Sequence, residues 1–100
     1  MKEKWLYVIR RHDTKEIKIG KSSDPARRLN ELRTAHARRL DLIAVSFGGG
    51  AIERRIHLRF HAHHLSGEWF RECDEILEWA RELMRAEIER QREAAGTGTR

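Results

Sequence analysis

A chain of 100 residues, 39% of them hydrophobic, can bury one modest core, so a single compact domain is expected and a second is excluded. The formal charge of +5 is unevenly spread, with 15 Lys and Arg against 7 Asp and Glu in residues 1–64 and 6 against 9 in residues 65–100, so the first part suits a polyanionic partner. No apolar run approaches the roughly 20 residues of a membrane helix and the first residues lack the apolar core of a signal peptide, which leads to the expectation of a cytoplasmic protein.

Residues 5–10 (WLYVIR) read as a strand, and the short polar stretch 11–14 can close a hairpin onto a second strand at residues 17–19. A four-residue turn there sets Tyr7 opposite Lys18. Alternation puts Leu6, Val8, Ile17 and Ile19 on one face and Tyr7, Lys18 and Gly20 on the other. Gly20 releases the backbone, and Asp24 followed by Pro25 is an N-cap followed by a first helical residue. On the helix that starts there, Ala26, Leu29 and Leu32 form the inward stripe, Arg28 lies on its border and Arg27 points away.

Residues 40–47 (LDLIAVSF) predict a third strand, ended by the connector Gly48, Gly49 and Gly50. A helix over 51–63 turns Ile52, Ile56 and Phe60 inward and lines Glu53, His57 and His64 along the edge of that stripe. Residues 66–70 (SGEWF) read as a turn whose Trp69 and Phe70 cap the core. A helix over 74–92 follows, with Ile76, Leu77, Ala80, Leu83, Met84 and Ile88 on one face and acidic residues in its first turn, and residues 94–100 read as a frayed tail. The order is ββαβαα: an α+β domain over residues 1–93 with a small, mainly antiparallel, three-stranded sheet flanked by helices.

Cys73 is the only cysteine, which excludes an internal disulfide and a Cys-based zinc cluster within one chain. The six histidines include His57 and His61 at i,i+4, but the helical wheel sends His61 and His63 apart and no standard zinc spacing results.

Four ionisable positions therefore border a buried face: Tyr7 and Lys18 on the hairpin, Arg28 on the first helix and Glu53 on the second. Trp5-Leu6-Tyr7, then Lys18-Ile19-Gly20, then Arg28 eight residues past that glycine, then a helix bearing Glu53 resemble the GIY-YIG nuclease family. With IERRIHLRF and the later GEWF, the pattern is most similar to a short branch of that family common in bacteriophages and bacteria, over roughly residues 5–80. The resemblance implies metal-dependent hydrolysis of DNA phosphodiesters by a one-metal mechanism. Tyr7 would activate or position the attacking water, Arg28 would neutralise charge on the transition state, and Glu53 would ligate one Mg²⁺ or Mn²⁺, with His57 in support behind it. Gly20 and Lys21 would meet a phosphate.

The first element carries Trp5 and Leu6 where the family has glycine and isoleucine, and Lys18 replaces the second tyrosine. A lysine there is either a base or a phosphate clamp. The rival expectations are a non-catalytic nucleic-acid-binding module of the same fold and a subunit, built on the charged last helix, of a larger nuclease assembly. A homodimer is compatible with either.

Overall fold

The computed structural model describes residues 4–36 and 39–98. Strands β1 (Trp5–Arg11) and β2 (Glu16–Ser22) form a hairpin, followed by helix α1 (Pro25–His36), strand β3 (Leu40–Ser46) and a 3-10 turn (Gly49–Ile52). Helix α2 (Glu53–Arg59), a second 3-10 turn (His61–His63), strands β4 (His64–Ser66) and β5 (Trp69–Arg71), and helix α3 (Asp74–Gly98) complete the described chain. The fold is α+β, but the sheet has five strands in the order β3-β1-β2-β5-β4, all neighbours antiparallel, rather than the expected three. The expected order ββαβαα is corrected accordingly, with β4 and β5 inserted before the last helix. These strands are three residues each, too short to show a period-2 pattern, and they arise where only a turn was expected.

Alternation along β1 and β2 sorts the core into two halves. Leu6, Val8, Ile17 and Ile19 pack with Ala44, Ile56, Phe60, Phe70, Ile76 and Ala80 on the side covered by α2 and α3. Tyr7 and Ile9 pack with Leu29, Leu32 and Leu40 on the side covered by α1. A central strand buried on both faces explains why residues 6–9 are all fully apolar or aromatic.

The hairpin register differs from expectation: Tyr7 lies opposite Gly20, and Lys18 lies opposite Ile9. The turn occupies residues 12–15 rather than 11–14, with Lys15 at φ 55°, and Arg11 continues the ladder against Glu16. A shift of the pairing by two residues preserves the parity of the strands, so the expected faces survive it. On α1, Asp24 caps the helix by accepting the Arg27 N–H at 3.1 Å. Ala26, expected in the inward stripe, is exposed, and Leu29 and Leu32 pack with Tyr7, Ile9 and Leu40.

The helix expected over 51–63 is broken into a 3-10 turn, the seven residues of α2 and a second 3-10 turn. His64 therefore leaves the helix edge and lies in β4, its Nε2 donating to the Gly67 carbonyl at 2.8 Å. Helix α3 runs to Gly98, so the segment from residue 94, expected as a frayed tail, continues the helix to that point. Its stripe also ends early. Ile76 and Ala80 are buried, whereas Ile88 is exposed and Glu87 is buried in its stead, accepting the Phe47 N–H at 3.0 Å. Past Met84 the helix meets the end of β3, where a backbone donor needs a partner, and a carboxylate serves there better than an alkyl chain.

Candidate functional site

The site is built around the close approach of β1 and β2 at Gly20. A side chain on Gly20 would point into the face that holds Tyr7, and a Cβ there would collide with the Tyr7 hydroxyl, the adjoining Tyr7 Cζ and Glu68 Oε1. Glycine at this position lets the Tyr7 ring lie across the neighbouring strand. The ring is buried, and its hydroxyl donates to Glu68 Oε1 at 3.1 Å.

Lys18, two residues before Gly20 and on the same face, reaches the same oxygen, with Nζ 3.3 Å from Glu68 Oε1. Its ammonium also stands 5.2 Å from the centroid of the Trp69 ring, a cation–π contact. The charge set against Lys18 is thus a carboxylate. Arg28, whose N–H closes the first turn of α1 on the Asp24 carbonyl at 3.0 Å, faces the Tyr7 hydroxyl with its guanidinium. It also pairs with Glu31 at 3.4 Å, and the same Glu31 holds Arg27 at 3.6 Å.

These contacts set the charge states. Burial first, then the negative charge of Glu68, pushes Tyr7 up to about 12, against a smaller opposing pull from Arg28. Tyr7 is therefore a protonated hydroxyl at neutral pH. Arg28 is raised above the ordinary arginine range, chiefly by its hydrogen bond to Tyr7 and then by Glu31.

Beyond Lys18 the β5 strand no longer pairs with β2, and the edge is finished by other groups. The Ile19 N–H donates to the Glu68 carbonyl at 2.9 Å, and His57 Nε2–H donates to the Ile19 carbonyl at 2.7 Å. A carbonyl can only accept, which fixes the His57 tautomer. His57 also packs edge-on against Phe70, ring centroids 4.9 Å apart, so it docks α2 on the strand edge. Glu53 lies one turn earlier on the same helix face, half-buried, and its carboxylate has no hydrogen-bond or ion-pair partner among the described residues. Lys21 shares strand parity with Ile19 and is exposed on the α2 side.

The α1 side of the sheet thus brings together Tyr7, Gly20 and Arg28 directly, and Lys18 through the Glu68 oxygen it shares with Tyr7. His57 meets β2 from the α2 side at Ile19, Glu53 lies one turn earlier on that helix and Lys21 is exposed on that side of the strand; none of the three has a hydrogen bond or ion pair to Tyr7. One member was not singled out from sequence: Glu68, the acid of GEWF, which receives both Tyr7 and Lys18. The available signal was an acidic residue between a turn glycine and two core aromatics, a place where a solvated side chain has little room. Within the cluster Tyr7, Lys18 and Gly20 are buried, whereas Arg28 is exposed. An apolar groove of about 560 Å³ lies elsewhere, lined by residues including Ile43, Leu77, Met84 and Ile88.

Among known families, the model of the T5orf172 domain matches residues 4–85, most of the chain. No curated protein and no solved structure matches it.

Proposed function

The chain belongs to the T5orf172 domain family, and from that premise we propose that it is a metal-dependent DNA endonuclease working by GIY-YIG-type chemistry. The domain is phage-associated and found in some nuclease-like proteins. The observation that carries the reading is the Tyr7–Gly20–Arg28 cluster: a glycine kept bare so that a tyrosine hydroxyl and an arginine fork converge at a basic strand edge.

In this mechanism the Tyr7 hydroxyl positions the attacking water, and its protonated state suits orientation better than direct proton abstraction. Arg28 meets the charge that develops on the phosphoryl oxygens, where a planar, permanently charged fork can bind bidentately. Lys18 acts as a cation toward phosphate, and Lys21 supplies a second contact across the strand edge. Glu53 would hold Mg²⁺ or Mn²⁺: one unpartnered carboxylate open to water fits a hard ion that keeps its waters and shares substrate phosphates. No cage of three or more acidic, His or Cys side chains occurs among the described residues. When bound, the ion supplies Lewis-acid chemistry at the scissile phosphate. His57 holds the helix that carries Glu53.

The reading is tested by incubating the protein with supercoiled plasmid in Mg²⁺, Mn²⁺ or EDTA. Nicking that needs the metal and is lost in Glu53→Gln, with plasmid affinity kept, is the expected result. Wild-type nicking by Glu53→Gln would remove the metal assignment, and no nicking in any condition would overturn the reading. The second reading, nucleic-acid binding without cleavage, draws on one observation: the Tyr7 hydroxyl is already engaged by Glu68.

A further inference from the structure

Glu68 has no part in the chemistry described so far, yet the site converges on it. Its Oε1 accepts the Tyr7 hydroxyl at 3.1 Å and pairs with Lys18 at 3.3 Å, and its backbone carbonyl accepts the Ile19 N–H at 2.9 Å. Backbone and side chain are both tied to β2. The residue follows Gly67, which takes φ 53° in the first position of the two-residue turn between Ser66 and Trp69, a hairpin geometry that favours glycine. That turn places the carboxylate over Gly20, where no Cβ competes with it.

The direction of the Tyr7 hydrogen bond has a chemical result. With the proton committed to Glu68, Oη is left as an acceptor on its other side, where the Arg28 guanidinium meets it. We propose that Glu68 is the proton acceptor behind Tyr7, a positioning and relay residue of the nuclease reaction; this rests on the nuclease reading above. The water oxygen bonds to phosphorus as the bond from phosphorus to the leaving oxygen breaks. The water's proton passes to Tyr7 Oη while the Tyr7 proton passes to Glu68 Oε1, so the tyrosine is neutral before and after. The leaving alkoxide takes a proton from solvent water. Glu68, its side chain about one-third exposed, returns its own proton to solvent. No tyrosinate is required, which removes the difficulty that a buried tyrosine is a poor free base. Three groups face the carboxylate: Tyr7 from β1, Lys18 from β2 and, through Tyr7, Arg28 from α1.

Glu68→Gln keeps the shape and a hydrogen-bond acceptor but cannot take a proton. The expected result is a fall in kcat of about 10²-fold or more with KM within about twofold, and partial recovery in Glu68→Asp. In a Tyr7→Phe background, Glu68→Gln should add no further loss, because the two residues act as one unit. A readout independent of activity is also open, since Tyr7 is the only tyrosine of the chain and its ionisation can be followed by ultraviolet absorbance. Its midpoint should fall in Glu68→Gln, whose side chain no longer places a negative charge beside the hydroxyl. A wild type that cuts alongside a Glu68→Gln variant that cuts equally well overturns the relay alone, as does an unmoved Tyr7 midpoint. A wild type that cuts no DNA overturns the nuclease reading and the relay with it, while the absorbance titration still reports the contact.

Discussion

At Gly20 one methyl group is enough to disturb the site, because the space a Cβ would take is held by the Tyr7 hydroxyl and Glu68. Gly20→Ala should push Tyr7 off its position at an overpacking cost of about 1–3 kcal/mol, read as a lowered melting temperature, and should reduce plasmid nicking by more than that stability loss explains. Glu87 is a residue of the opposite kind, placed for stability rather than chemistry. Its buried carboxylate is held down to about 2, from an ordinary 4.5, first by hydrogen bonds from Arg90 and then, against the cost of burial, by the Phe47 N–H and Gln91. The folded-state pKa lies below the unfolded one, so the stabilisation is complete above about pH 4.5 and drains away as pH falls toward 2. Its size is at most about 3 kcal/mol. Denaturant melts of wild type and Glu87→Gln should differ most near neutral pH and converge near pH 2; a pH-independent gap would mean that packing, not charge, is lost.

Whole elements differ in how plainly the sequence announced them. The hairpin faces were legible because Ile17 and Ile19 alternate with Lys18 and Gly20 along β2 and strand side chains point to opposite faces in turn, and the exact pairing was not, because turn position rests on Lys15 adopting a positive φ that its identity does not advertise. The start of α1 was legible from Asp24-Pro25, and Asp24 caps it. The strands β4 and β5 were hidden by their brevity, and with them the position of Glu68, so the site was legible in Tyr7, Gly20 and Arg28 but not in the acid that links Tyr7 to Lys18. Periodicity points Ile88 inward, yet it is exposed, because a helical period cannot foresee where the sheet beneath the helix ends. The cap on α1 also has a functional side, since Arg28 sits in the turn it stabilises. Asp24→Ala should cost about 1 kcal/mol and lower cleavage modestly, by loosening the first turn that aims the guanidinium. Thermal melts and nicking rates on the same preparations check both effects, and unchanged activity with lowered stability would show that Arg28 is held by Tyr7 and Glu31 alone.

Over the whole molecule, the surplus of positive charge falls in residues 1–64, the part of the chain that also carries Tyr7, Lys18, Gly20, Arg28 and Glu53. Among described residues, Lys21 on β2 and Arg27 and Arg28 on α1 are exposed, and Arg54 and Arg55 are exposed on α2, the helix that carries Glu53. The acidic residues concentrate on α3, whose apolar groove is lined by none of the site's members. No described helix is long and apolar enough to cross a membrane. On the proposed nuclease reading, a duplex laid across β2 would meet basic side chains from α1, β2 and α2, so affinity should be mostly electrostatic and weakly sequence-selective. Each phosphate neutralised releases condensed counterions, and log Kobs should fall linearly with log[salt] by about 0.9 per contact. Fluorescence anisotropy with two unrelated duplexes, titrated from low to physiological salt, should give steep and nearly equal slopes. The double change Arg54→Gln with Arg55→Gln should flatten both slopes by about 2. It should leave the melting temperature near wild type, because neither side chain is buried. A slope near zero in the wild type would mean that the surplus charge is merely solvated, and an unchanged slope in the double variant would move the duplex off α2 and onto the face of α1.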